Sequence, residues 1–128
     1  MKNNPVGWFE IYVQDLNRAK AFYEAVFATV LESLAAPDIP GTGLEMWNFP
    51  MDMAAGGAPG ALVKMEGCPS GGNSTLVYFS CEDCAVEASR VTAAGGGIFK
   101  DKFSIGQYGF IALVTDTEGN MIGLHSMK

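Results

Sequence analysis

Glu10 is the residue whose chemistry fits its neighbours least, because it stands inside Trp8-Phe9-Glu10-Ile11-Tyr12-Val13, a run that is otherwise aromatic and aliphatic. A carboxylate buried there is costly unless a donor, a cation or a ligand offsets it. Glu10 is therefore a candidate general acid or base, against the plainer readings of a pair with Lys64 or a solvated position. His125 is the only histidine, and an imidazole can exchange a proton near neutral pH. The plainer reading is a hydrogen-bonded or exposed side chain near the C-terminal end. Cys81-Glu82-Asp83-Cys84 is a C-x-x-C placed where a helix should open, a setting that favours a thiolate. Zinc would require two further ligands, and Cys68 is the sole other cysteine. A strand cysteine at Cys81 with an incidental neighbour at Cys84 is the expectation.

These residues sit in a pattern that occurs twice. An apolar strand at residues 8–13 leads to Asp15 and a helix over Leu16–Phe27; a second at residues 76–81 leads to Asp83 and a helix over residues 85–94. Leu16, Ala19, Phe22, Tyr23, Val26 and Phe27 recur at three- and four-residue steps, one apolar helical stripe, and Asp15 is placed to cap it. Further strands are expected near residues 30–31, 44–49 and 61–65, then at 98–99, 108–114 and 121–125. Residues 37–43, 54–60 and 67–73 are rich in Gly and Pro and read as connections, Gly95-Gly96-Gly97 ends the second helix, and residues 116–120 form a hairpin turn. Neither half could bury enough apolar surface alone. A single domain over 1–128 is expected, with modules at about 5–66 and 74–128 sharing one core.

Residues 9–23, with Glu10, Asp15, Phe22 and Tyr23, resemble the opening signature of the vicinal oxygen chelate superfamily, which includes glyoxalase, bleomycin-resistance and extradiol dioxygenase proteins. Residues 112–124, containing Asp116-Thr117-Glu118-Gly119-Asn120, resemble its closing signature. The resemblance implies an α+β fold of two βαβββ modules forming a cupped mixed sheet around a cavity. It also implies metal ligands of His, Glu or Gln type on the first and last strands of each module. In this chain those positions hold Trp8, Leu76 and Gly123, with the fourth near Lys64 in an uncertain register. Trp, Leu and Gly side chains bind no metal. No metal and no other cofactor is expected, and metal-dependent lactoylglutathione lyase activity is not.

Strand alternation then indicates what the cavity offers. Trp8 shares its face with Glu10 and Tyr12, Leu76 with Tyr78 and Ser80, and Gly123 with Met121 and His125. Glu10 and His125 are the catalytic candidates; Trp8, Trp47, Tyr78, Tyr108 and Phe110 are the ligand-binding candidates, with Phe49 adding to the wall. Several of these aromatics would serve equally as core. The absence of a side chain at Gly123 is expected to leave room for a ligand. The function expected is a glyoxalase-like protein holding a small organic molecule in an aromatic cleft. The alternative is a lyase or isomerase acting on a small carbonyl or thioether compound through Glu10 and His125, with an atypical metal or none.

Composition narrows the partners. A net charge of −6 with no dense basic run repels phosphates, so nucleic acid is not expected. No stretch approaches the ~20 apolar residues of a membrane span, and the opening residues lack the features of a signal peptide. A cytoplasmic location with no membrane partner is the expectation. The resemblance implies a homodimer, which would cover apolar surface in a chain with only 17% charged residues.

Overall fold

The computed structural model describes residues 4–37, 39, 41–72 and 74–128. Asp38 and Pro40 of the expected loop at 37–43, Asn73 of the expected connection at 67–73, and the first three residues lie outside these. Among the described residues the element order is βαβββ twice over, eight strands and two helices in an α+β fold. The chain divides into two compact units, Trp8–Thr75 and Leu76–Lys128, the latter together with the segment that ends at Gly7.

The unit Trp8–Thr75 carries β1 (Val6–Tyr12), α1 (Leu16–Phe27), β2 (Glu32–Leu34), β3 (Glu45–Asn48) and β4 (Gly60–Lys64). Its strands run in the order β2-β3-β4-β1, with β1 parallel to β4 and the other pairs antiparallel. Asp15 caps α1 by accepting the Arg18 amide hydrogen at 3.0 Å, the satisfaction of an orphan donor that favours Asp there. The face of this sheet turned toward α1 holds Phe9, Trp47 and Phe49; Tyr23 of α1 meets Phe49 edge-on at 5.5 Å. The opposite face holds Trp8, Tyr12, Leu34, Met46, Ala61 and Val63 as one apolar cluster.

The other unit carries β5 (Thr75–Ser80), α2 (Cys84–Val91), β6 (Gly97–Ser104), a single 3-10 turn (Gly106–Tyr108), β7 (Phe110–Thr115) and β8 (Met121–Ser126). The order is β5-β8-β7-β6, with β5 parallel to β8. Asp83 caps α2 through the Ala85 amide, and the Ser126 hydroxyl accepts from the Cys84 amide. Cys84 and Ala88 of α2 pack on Ala112, Val114 and Leu124. These small residues let the helix lie close to its sheet.

Three expectations need correction. The strand expected at 98–99 extends over Gly97–Ser104, hidden in the sequence by Lys100, Asp101 and Lys102. It is an edge strand with two register shifts against β7, and bulges and charges are what keep an edge from pairing further. The helix expected to reach residue 94 ends at Val91. Tyr108 belongs to the 3-10 turn rather than a strand, because Gly109 at φ 99° and ψ −131° interrupts the extended chain. A Cβ at Gly109 would collide with the Ser126 carbonyl, so the break is fixed to glycine.

Candidate functional site

Glu10 lies on the β1 face turned away from α1 and is 9% exposed. Its two oxygens are held from either side along its own strand: the Trp8 indole Nε1 donates to Oε2 at 3.1 Å and the Tyr12 hydroxyl to Oε1 at 2.7 Å. The period of two places all three side chains on one face. The carboxylate is fixed in plane and direction by two rigid aromatic donors. Cross-strand register sets Glu10 opposite Ala61, and Ala61 opposite Asn48. Asn48 is also buried, and its amide donates to the Phe49 carbonyl at 2.9 Å. Glu10 and Asn48 thus stand two strands apart, about 10 Å, across a single methyl group. Cys68 lies near enough that the Glu10 charge, after burial itself, pushes its thiol up.

A groove of about 760 Å³ opens between the start of α1 and the β2–β3 edge of this sheet; Trp8, Glu10 and Tyr12 do not line it. Leu34, Ala36, Leu44 and Met46 form its apolar wall, and they belong to the cluster on which Trp8 and Tyr12 pack. Gln14, Asp15, Glu45 and Lys64 give it a polar margin, and Trp47 closes one side. With Asn17 and Ser33 also on its lining, the groove exposes more polar than apolar surface, and its size suits a small organic molecule that carries polar groups.

In the other unit, His125 lies on the β8 face turned away from α2. Its Nε2 is 2.6 Å from the Tyr108 carbonyl oxygen. A carbonyl only accepts, so Nε2 carries the hydrogen and Nδ1 holds the lone pair of the neutral ring. On that face Ile111 pairs with His125, and Leu113 with Gly123. Tyr78 is buried there, and its ring lies across Gly123, where any Cβ would collide with it. The space expected to receive a ligand at Gly123 is filled by Tyr78.

Register thus sorts the sequence candidates. Trp8 joins Glu10, and Tyr108 joins His125 through its backbone oxygen rather than its ring. Trp47 and Phe49 face α1, on the side of the sheet opposite Glu10, and the Lys20 ammonium sits over the Trp47 ring at 4.2 Å. Phe110 packs with the α2 core, under Lys102 at 4.8 Å. The expectation that these three line one wall with Glu10 or His125 is corrected by one-residue parity. Trp47 reaches the groove from the strand's other side. Tyr12 and Asn48 were not among the sequence candidates; alternation along β1 does signal Tyr12, whereas Asn48 follows only once β3 has a register.

The donor set at the four family metal positions does not fit a metal. Trp8 donates to Glu10, Leu76 is buried, and Gly123 is covered by Tyr78. Lys64 pairs with Glu45, on the face opposite Trp8, so the fourth position falls instead among Ala61 and Val63, both apolar. Among the described residues no group of three or more His, Cys, Asp or Glu could hold a metal ion. The Cys81 thiol is pushed up to about 11, mainly by burial, then by the nearby Glu87 charge and Cys84. Burial and a carboxylate oppose a thiolate at this C-x-x-C.

Comparison with known proteins agrees with this architecture. Structures that superpose on the chain include a hypothetical protein of Bacillus halodurans C-125, at TM-score 0.66 and 12% identity over 99% of this chain and 96% of that one. Methylmalonyl-CoA epimerase of Mycobacterium tuberculosis superposes at TM-score 0.66 and 13% identity over 100% and 93%. The Streptomyces coelicolor epimerase, solved with 2-nitronate-propionyl-CoA, gives 0.65 and 15% over 95% and 96%. In sequence the chain is similar to CFP32 of M. tuberculosis and M. bovis, named as a glyoxylase, at 27% identity over 122 residues. The match covers 91% of this chain and 43% of that protein, so the chain spans less than half the length of these relatives. Among the described residues no helix is long and apolar enough to cross a membrane. Residues 6–124 match the Glyoxalase/Bleomycin resistance protein/Dioxygenase superfamily, and the chain belongs to that family.

Proposed function

We propose that this protein binds a small organic molecule against the Glu10 face, over the apolar cluster that it shares with the groove, without a metal at the family's usual positions. The observation that carries the reading is the Glu10 carboxylate, 9% exposed and clamped by Trp8 and Tyr12 on an apolar sheet face that continues into the groove wall. A fixed carboxylate at the edge of an apolar surface selects a ligand with an N–H or O–H group next to a hydrocarbon or aromatic portion. Pre-orientation by Trp8 and Tyr12 lowers the ordering cost of binding. Asn48, across Ala61, supplies a second polar point on the same row.

A lyase or isomerase acting on a small carbonyl or thioether compound is the second reading, favoured by the fixed direction of Glu10. In it Glu10 takes a proton from carbon next to a carbonyl. The likeness to methylmalonyl-CoA epimerases is one of fold, and makes a CoA thioester worth testing. Three free cysteines suit a reducing, cytoplasmic setting.

The test is a thermal-shift panel on chelator-treated protein, with methylmalonyl-CoA, S-lactoylglutathione and small aromatic carbonyl and thioether compounds. The account expects at least one of them to raise the melting temperature, with the rise lost in Glu10→Gln. A rise obtained only after divalent metal is added would overturn the metal-free reading. Turnover of any compound by wild type that disappears in Glu10→Gln would select the enzyme.

A further inference from the structure

The polar lining of the groove comes from the sheet face opposite Glu10. Strand pairing sets Ser33 against Trp47 and Glu45 against Lys64, and alternation along β3 puts Glu45 and Trp47 on one face, with Met46 and Asn48 on the other beside Glu10. Ser33, Trp47, Glu45 and Lys64 all line the groove. They form two adjacent rows, about 7 Å apart along the strands: a hydroxyl and an aromatic ring in one, a carboxylate and an ammonium in the other. The Trp47 ring is half-buried, and the Lys20 ammonium sits over one of its faces at 4.2 Å. Glu45 and Lys64 are exposed, and among the described residues neither belongs to an ion pair. Both charges are open to a ligand.

The signs of these charges select the occupant. Asp15 and Glu45 border the groove with Lys64, and Lys20 stands over its Trp47 wall, so two carboxylates meet two ammonium groups. One Asp15 oxygen already accepts the Arg18 amide. A simple anion drawn to Lys64 is repelled by Glu45 directly opposite, and a simple cation meets the reverse. A molecule that carries an ammonium and a carboxylate on one centre satisfies both groups, and its zero net charge matches the balanced rim. The spacing of the rows then places a substituent of that centre at Trp47, where an aromatic ring gains most from the contact. We propose that this groove binds a free α-amino acid with an aromatic side chain, its carboxylate at Lys64, its ammonium at Glu45 and its ring against Trp47. The site is separate from the Glu10 face and does not depend on a ligand there.

The experiment is a two-dimensional nuclear magnetic resonance titration of the full chain with L-phenylalanine, followed at the indole N–H resonances of Trp47 and Trp8. The Trp47 resonance is expected to shift with saturation while that of Trp8 stays in place. On the same wild-type protein, 3-phenylpropionate, which lacks the ammonium, and phenethylamine, which lacks the carboxylate, should each bind about tenfold more weakly or worse. Lys64→Met and Glu45→Gln, at exposed positions where substitution leaves the fold intact, should each weaken phenylalanine by a similar factor. Asp101→Asn, an exposed carboxylate of the other unit, should leave it unchanged. No saturable Trp47 shift, a Trp8 shift with the same midpoint, equal binding of either analogue, or binding that survives both groove variants each overturns the proposal.

Discussion

Tyr12 donates its phenolic hydrogen to Glu10 Oε1 at 2.7 Å, from two residues along the same strand. The bond depends on nothing but the strand period, so the shortest sequence separation that puts two side chains on one face creates the best-defined polar feature of this unit. Removing only the hydroxyl tests its worth. Tyr12→Phe keeps the ring in the apolar cluster and deprives a nearly buried carboxylate of a donor, a loss of about 1.5–3 kcal/mol for a bond to a charged group. Urea unfolding should show that loss, and an unchanged midpoint would mean that the bond holds nothing.

Gly123→Glu restores the residue type that the family resemblance implies at that position. The Tyr78 ring occupies the place of its Cβ, so the variant is expected to lose about 1–3 kcal/mol by overpacking. Much of it should return in Gly123→Glu/Tyr78→Ala, read as melting temperature. A fully stable single variant would show that Tyr78 moves aside freely.

Those two residues also show how much the sequence disclosed. The order of elements was legible because hydrophobic period and Gly/Pro punctuation are local. Glu10, Trp8 and Tyr12 followed from a single strand. The wall did not, because Trp47, Phe49 and Phe110 needed cross-strand register. Choosing the aromatic residues of β3 and β7 selected the wrong parity, and a one-residue slip exchanges the two faces of a strand. The contents of the Gly123 space were hidden for the same reason, since Tyr78 reaches it from a parallel neighbour 45 positions earlier.

Cys81 is expected to react slowly. With its thiol pushed up to about 11 by burial, Cys81 holds a thiolate fraction of about one in a thousand at pH 8. Alkylation by iodoacetamide, followed by peptide mass at several pH values, should rise through pH 10 without levelling. A rate that levels near pH 8 would identify an activated thiol.

Acid should loosen the start of α2. The Lys102 ammonium, at 2.8 Å, and the Ala85 amide hold the Asp83 carboxyl below its ordinary value. A lowered folded-state value contributes stability that is present above the ordinary carboxylate range and lost as pH falls through the folded value. Asp83→Asn should therefore melt below wild type at neutral pH, with the gap closing as pH drops below 4. A gap constant with pH would assign the effect to packing.

The central claim is that the Glu10 face receives the ligand. Its most direct test is the Trp8 indole N–H resonance in two-dimensional nuclear magnetic resonance, recorded in chelator while the compound that most raises the melting temperature is titrated. The account predicts that this resonance and the Asn48 side-chain amide shift with saturation, and that neither moves in Glu10→Gln. Saturable binding that leaves both unmoved, or that survives Glu10→Gln unchanged, would contradict it and place the ligand elsewhere.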